Sequence, residues 1–229
     1  MILSKKQIIL IVAAGIIVLA IPAGIFGYPR FKTWMENREF LANPELHDDF
    51  VAAQSKEAEI KTNPDRLETY VTAMMRYKAL GDISKDERFY ERALRIGISA
   101  MEKFGTQSYL PYLNASTIYM LLKDYQNAEK MLKKAIEMAP GDPQLYLRLI
   151  ELYRDFMKKS EAEVIAVYED SLQRLVNVLP VFSDYAAYLK SINRLEEALD
   201  KYRLLLKAVP GNPIYTQEVK DLENAVKNR

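Results

Sequence analysis

Tyrosines in the middle of this chain recur at a fixed interval. Tyr112 and Tyr146 are 34 residues apart, and the same distance separates Tyr119 from Tyr153. The two tyrosines of each segment are seven positions apart, which places them on one face of a helix. A period between about 20 and 50 residues is typical of chains built from stacked repeats, in which each unit buries its apolar face against the next. The sequence therefore predicts a fold of stacked repeats that contain helices.

The pattern resembles the tetratricopeptide repeat, a helix–turn–helix unit of about 34 residues. That family places large side chains at positions 4, 11 and 24 and small ones at positions 8, 20 and 27. The clearest copy, 109–142, carries the following residues at these positions: Tyr112, Ser116, Tyr119, Ala128, Leu132 and Ala135. The resemblance implies that the large residues fill the space between helices, whereas the small ones let the helix backbones approach closely.

The resemblance extends over most of the predicted soluble part of the chain and implies an all-α fold, an α-solenoid of about four repeats within residues 64–212. We assign the repeats to 67–108, 109–142, 143–178 and 179–212. The first is divergent, with roughly seven residues inserted around 82–89, and the third needs about two extra residues near 157–160. Residues 28–63 are interpreted as a juxtamembrane linker with one helix. Residues 213–229 are interpreted as a polar capping helix, which the end of a solenoid requires.

An apolar run from Ile8 to Phe26 precedes the repeats and follows a basic start at Lys5 and Lys6. About 20 apolar residues suffice for a helix to cross a bilayer core of about 30 Å, so the sequence predicts a transmembrane helix at 7–27. A cleaved secretory signal is the alternative, although no A-x-A-like site ends the run. Basic residues are nearly balanced across the run, but the short tail at 1–6 favours a cytoplasmic N-terminus. The repeats would then lie outside the cytoplasm.

The composition offers little for catalysis or for nucleic-acid binding. The chain carries 32 basic and 31 acidic residues, for a net charge of +1, and so lacks the basic excess that nucleic acid requires. It contains no cysteine, which excludes disulfides, thiolate catalysis and cysteine-ligated zinc. The single histidine, His47, precedes two adjacent acids that cannot converge with it on one point from a helix. We therefore expect a protein that is not an enzyme, with no cofactor, metal, nucleic-acid partner or small-molecule substrate.

The resemblance also indicates where a partner would bind. In tetratricopeptide repeats, positions 2, 5, 9, 12 and 13 of the first helix tend to line the concave face. The candidate protein-binding residues obtained in this way are Val71, Met75, Lys78, Leu113, Thr117, Met120, Leu147, Glu151, Arg154, Ala187 and Lys190. The set is apolar in its first half and charged in its second, which suits an apolar helix or an extended peptide. The alternative is that the apolar members pack against neighbouring helices.

These features predict a membrane-anchored scaffold or adaptor that docks protein or peptide partners at a membrane, with envelope assembly or protein export as its setting. One alternative is a chaperone-like holdase that binds unfolded clients in an apolar groove. Another is a non-catalytic accessory arm of a membrane enzyme. A scaffold prefers one partner, whereas a holdase binds clients without sequence preference.

Overall fold

The computed structural model describes residues 28–228, which form helices joined by short turns. The predicted tail at 1–6 and the predicted transmembrane helix at 7–27 lie outside these residues. No helix within 28–228 is long and apolar enough to cross a membrane. The eleven helices of this range are α1 (Tyr28–Leu41), α2 (His47–Thr62), α3 (Leu67–Ser84), α4 (Glu87–Phe104), α5 (Leu110–Leu121), α6 (Tyr125–Met138), α7 (Pro143–Glu151), α8 (Glu161–Arg174), α9 (Leu179–Ser191), α10 (Leu195–Ala208) and α11 (Pro213–Lys227).

Residues 28–63 hold two helices, α1 and α2, where the sequence predicted one. Within the part of α1 whose side chains are described, the single buried residue is Phe40, which packs against the rings of Phe50 and Phe89. One buried side chain produces no helical period of apolar residues, so the pattern on which the prediction relied is absent there.

The chain divides into two compact units, with the boundary after Phe89. The core of the first unit centres on Phe50, which is fully buried and makes edge-to-face contacts with Phe40 and Tyr77. Helices α2 and α3 form the main pair of this unit, and the Tyr77 hydroxyl donates to Glu57 Oε2 at 2.6 Å between them. The buried aromatic cluster and this hydrogen bond hold the two helices together.

The second unit starts within α4 and continues to the end of α11, and it has its own core. Within this unit α5 packs against α6, α9 against α10, and α10 against α11. The small side chains that the repeat pattern assigns to helix contacts are almost completely buried: Ser116, Ala128, Ala135, Ser171, Ala186 and Ala198. Their size lets the paired backbones approach closely, which is the packing that the resemblance implied.

Four turns between helices contain a residue in the left-handed backbone region: Lys85 (φ 60°), Lys123 (φ 59°), Lys158 (φ 52°) and Asn193 (φ 65°). They follow α3, α5, α7 and α9, the first helices of the four predicted repeats. The insertion predicted in the first repeat lengthens its helices instead of forming a loop, since α3 runs to Ser84 and α4 begins three residues later. The same turn geometry therefore recurs despite different helix lengths.

One residue of the insertion predicted in the third repeat is taken up by a π-helical turn. Helix α7 continues into this turn at Leu152–Phe156, a feature that accommodates an extra residue within a helix. The Lys159 amide then donates to the Tyr153 carbonyl at 2.9 Å, six residues back. In the α5–α6 turn the corresponding bond, from the Asp124 amide to the Tyr119 carbonyl, spans five residues. The extra residue thus lengthens the turn, which still contains a left-handed lysine, Lys158.

Candidate protein-binding surfaces

Eight of the eleven predicted binding residues lie in the second unit, on the first helices of three successive helical pairs. We call them the first-helix face; they are Leu113, Thr117 and Met120 on α5, Leu147, Glu151 and Arg154 on α7 (with its π turn), and Ala187 and Lys190 on α9. Their spacing of three and four residues puts them on one side of each helix. The Tyr109 hydroxyl, just before α5, donates to Asp142 Oδ2, just before α7, at 3.2 Å. This bond ties the start of α5 to the start of α7.

The other three predicted residues, Val71, Met75 and Lys78, lie on α3 in the first unit. Met75 is exposed, whereas Val71 and Lys78 are half-buried. The Lys78 ammonium is 2.6 Å from Asp82 Oδ2, one helical turn further along α3. These three residues therefore form a small mixed patch on one helix.

The apolar residues of the first-helix face pack against the core and also remain partly accessible to a partner. Leu113, Met120 and Leu147 are half-buried and pack against the core of the second unit. Ala187 and Lys190, in contrast, are exposed. A partner could touch the outer edges of the apolar residues, but the exposed side chains of this face, Glu151, Ala187 and Lys190, lie at its polar end.

Arg154 of the first-helix face belongs to a network of hydrogen bonds and ion pairs. Arg154 donates to both carboxylate oxygens of Asp155, at 2.9 and 2.8 Å, and these bonds hold the pKa of Asp155 below its ordinary value. Its guanidinium is also 3.8 Å from Asp184 Oδ2 on α9. Asp184 accepts the hydroxyl hydrogen of the fully buried Tyr168, whose ring stacks on that of Tyr185 with centroids 4.6 Å apart. The network links the π turn with α8 and α9 and fixes Arg154.

Burial, and secondly the bond to Asp184, raise the pKa of Tyr168 well above its ordinary value, so this tyrosine stays neutral and donates. Neither residue was predicted from the sequence as part of a binding surface. Asp184 lies one position beyond those that line the face, and Tyr168 belongs to a second helix. The one available signal was the polar Asp184 among the tyrosines and small residues of α9.

Two charged residues of the first-helix face, Lys190 and Arg154, are paired with groups of the same unit. Lys190 Nζ is 2.6 Å from Glu218 Oε2 on α11, and Arg154 is held by Asp155 as described. Exposed ion pairs contribute about 0–1 kcal/mol, because water and salt screen them. A partner's charged groups could therefore replace the exposed Lys190 pair at small cost.

A second concave surface lies between α6 and α8 in the same unit. Its cavity has a volume of about 430 Å³. The floor is formed by the buried side chains of Tyr146 and Leu149 from α7 and Tyr153 from its π turn, with Ala166 and Val167 of α8 along one wall. The charged side chains at its rim are Lys133, Glu137, Glu163, Asp170 and Arg174. We call it the α6–α8 cleft.

The α6–α8 cleft was not predicted from the sequence. The repeat positions of Tyr146 and Tyr153 predicted core residues, and both side chains are buried. Residue type alone does not show whether a core residue borders a cleft. The walls of the α6–α8 cleft also come from the second helices of the repeats, which the choice of first-helix positions leaves out.

These surfaces belong to a fold that known proteins share. A family model described as tetratricopeptide repeat matches residues 119–167. Two crystal structures of MamA resemble the chain with TM-scores of 0.52 and 0.51, at 16% and 17% identity. They cover 78% and 82% of this chain and 90% of each MamA chain. YrrB, described as a TPR protein with an unusual peptide-binding site, has a TM-score of 0.51 at 17% identity, covering 77% of this chain and 86% of its own.

No curated protein matches the chain. The family match and the structural neighbours support the tetratricopeptide-repeat family for the repeats, and the fold of residues 28–228 is an all-α helical-repeat solenoid of that type. Such repeats serve as surfaces for protein or peptide binding.

Proposed function

We propose that this protein is a membrane-anchored scaffold that docks one protein or peptide partner on the first-helix face. The observation that carries the proposal is the composition of that face. It combines half-buried Leu113, Met120 and Leu147 with exposed Ala187 and Lys190. Edges of apolar side chains beside exchangeable charges suit a peptide that has an apolar segment and a polar one. The peptide-binding site stated for YrrB supports a peptide as the bound form.

The rigidity of the polar end also supports binding. Arg154 is held by Asp155, and its neighbour Asp184 is held by the buried Tyr168. A guanidinium fixed in this way loses little side-chain entropy when a partner contacts it. Binding at this end would therefore require little reorganisation of the repeats.

The apolar run from Ile8 to Phe26 supports the anchoring part of the proposal, because its length matches that of a bilayer core. The orientation that we propose for this anchor places the repeats outside the cytoplasm. In that arrangement the protein would hold its partner beside the membrane, as envelope assembly or protein export requires. The anchor would supply location, and the first-helix face would supply recognition.

Photo-crosslinking in cells tests the docking proposal with three exposed alanines of the second unit. A photoreactive residue replaces Ala187 on the first-helix face, Ala166 in the α6–α8 cleft, or Ala208 at the end of α10. All three replacements start from the same side chain, so Ala208 serves as a matched control. We expect one discrete crosslinked product from Ala187 and none from Ala208.

The other patterns separate the alternatives. Many products of different mass from Ala187 would indicate a holdase. A discrete product from Ala166 alone would move the binding site to the α6–α8 cleft. The absence of a product from both Ala187 and Ala166, with the protein present at its normal level, would contradict docking by this unit.

A further inference from the structure

Helix α1 carries large apolar side chains on its accessible side. Trp34 is 51% exposed, Met35 41% and Leu41 39%. With 3.6 residues per turn, Trp34, Arg38 and Leu41 lie within about 60° of one another around the helix, and Met35 borders them. Phe40 lies on the other side of the helix. We call Trp34, Met35, Arg38 and Leu41 the outer side of α1.

Contacts within the first unit fix the direction in which this outer side points. The Phe40 ring packs 5.2 Å from Phe50 and 4.3 Å from Phe89, centroid to centroid. Arg88 donates to both carboxylate oxygens of Glu39, at 2.9 and 2.7 Å, and its guanidinium lies 4.6 Å from the Phe40 ring centre. The adjacent residues Glu39 and Phe40 are thus both held by contacts with other helices. Helix α1 cannot rotate about its axis without breaking these contacts.

The chemistry of the outer side suits a phospholipid surface. Tryptophan is enriched at the depth of lipid headgroups, because its ring is apolar and its N–H is polar. Arg38, whose guanidinium is 5.8 Å from the Trp34 ring centre, is long enough to reach phosphate while its stem stays among apolar groups. Of the two acidic residues of α1, Glu36 lies away from Trp34, Arg38 and Leu41 by helical position, whereas Glu39 lies about 40° from Met35. Both carboxylate oxygens of Glu39 accept hydrogen bonds from Arg88, so the acidic group nearest to the outer side is paired with a positive charge.

The sequence that precedes α1 indicates why lipid is the occupant. The apolar run ends at Phe26, and α1 begins at Tyr28. If residues 7–27 span a bilayer, α1 starts where that bilayer meets water. Its outer side is then within reach of the headgroups without an intervening linker.

We propose that the outer side of α1 lies in the headgroup region of a phospholipid bilayer. This inference depends on the proposed anchoring by residues 7–27. Because Phe40 and Glu39 attach α1 to the first unit, contact with lipid would hold that unit at a fixed angle to the membrane. The first unit would then face the membrane in a set direction.

Trp34 makes the inference directly measurable, since it is the only tryptophan of the chain. The full chain is reconstituted into phosphatidylcholine vesicles with and without dibrominated acyl chains, and tryptophan emission is recorded with acrylamide as the aqueous quencher. We expect brominated lipid to reduce the emission at least twofold and acrylamide to quench it poorly. The double variant M35K/L41K should lose most of the quenching by lipid. Ile83→Lys, at a residue of the same unit that is 61% exposed, is the matched control and should keep it.

Alkaline carbonate extraction of the same vesicles separates the inference from the anchoring. A chain that is retained, and whose lipid quenching falls in M35K/L41K but not in Ile83→Lys, supports the inference. A retained chain with acrylamide-accessible Trp34 and no lipid quenching overturns it and leaves the anchor intact. Equal lipid quenching in M35K/L41K and the native chain also overturns it, because the anchor alone would then bring Trp34 to the lipid. Release by carbonate overturns both proposals.

If circular dichroism shows that M35K/L41K is unfolded, the single variant Met35→Lys replaces it. Quenching of Trp34 by brominated lipid should fall in that variant too.

Discussion

Ala128→Leu tests the close helix packing on which the repeat assignment depends. Ala128 lies in α6, which packs against α5, and its side chain is 0% exposed. Leucine adds three carbon atoms to a site that holds no solvent. Inserting such groups into a packed core costs about 1–3 kcal/mol. At roughly 2–4 °C per kcal/mol for a protein of this size, we expect the melting midpoint to fall by about 2–12 °C.

Ala162→Leu provides the matched control, because Ala162 is exposed in the first turn of α8. The same chemical change there should alter stability by less than about 0.5 kcal/mol. Both variants of the full chain are unfolded in detergent solution by urea and by heat, with helicity followed by circular dichroism. An unfolding midpoint of Ala128→Leu equal to that of the native chain would refute the assignment of Ala128 to a close helix contact. Equal losses of stability in Ala128→Leu and Ala162→Leu would refute it as well.

Three further predictions concern the second unit. Gly105→Ala should lower stability by about 1–3 kcal/mol in urea unfolding, because a Cβ there would lie 2.5 Å from the Tyr112 hydroxyl and also clash with a backbone carbonyl. Gly141→Ala should be neutral or slightly stabilising, since no atom lies within 4 Å of its Cβ position; equal effects of the two changes would contradict this packing. Tyr168→Phe should cost about 1–2 kcal/mol at neutral pH through the lost bond to Asp184, which is partly solvated; an unchanged urea midpoint would rule out that bond. Folding raises the pKa of Tyr168 above the value of about 10 of an unfolded tyrosine, so its contribution is complete below pH 10 and lost as the pH rises further. The alkaline loss of stability should therefore be smaller in Tyr168→Phe, and identical pH profiles for the two chains would contradict this assignment.

The repeat architecture could be predicted because its information is local and recurs. Ser116 and Ala128 mark helix contacts by their size, and Tyr112 and Tyr146 mark the period. A residue type that repeats at a fixed interval reports the same packing environment in each unit. The helical pairs of the second unit follow from this signal.

The features that were missed have weaker local signals. Helix α1 is held by the side chains of Phe40 and Glu39, whose partners are Phe89 and Arg88, far along the chain. The π turn after α7 depends on which backbone carbonyl accepts the hydrogen bond of the Lys159 amide. Residue type does not determine which of several neighbouring carbonyls that is. Both depend on tertiary contacts, which a single sequence does not specify.

The binding surfaces show the same division. The residues of the first-helix face could be selected by repeat position, but their degree of burial could not. Met120 and Lys190 occupy the same position in their repeats, yet Met120 packs against the core while Lys190 is exposed and paired with Glu218. Repeat position thus gives the side of a helix, and its neighbours determine how much of each side chain a partner can reach.

The central claim, a scaffold held at a membrane with its repeats outside the cytoplasm, is tested most directly by topology. The native chain has no cysteine, so a single cysteine added after Arg229 is the only thiol that a maleimide can label. Intact cells are treated with a membrane-impermeant maleimide and compared with lysed cells. We predict labelling of the membrane-bound protein in intact cells. Labelling only after lysis would place the repeats in the cytoplasm and contradict the proposed orientation.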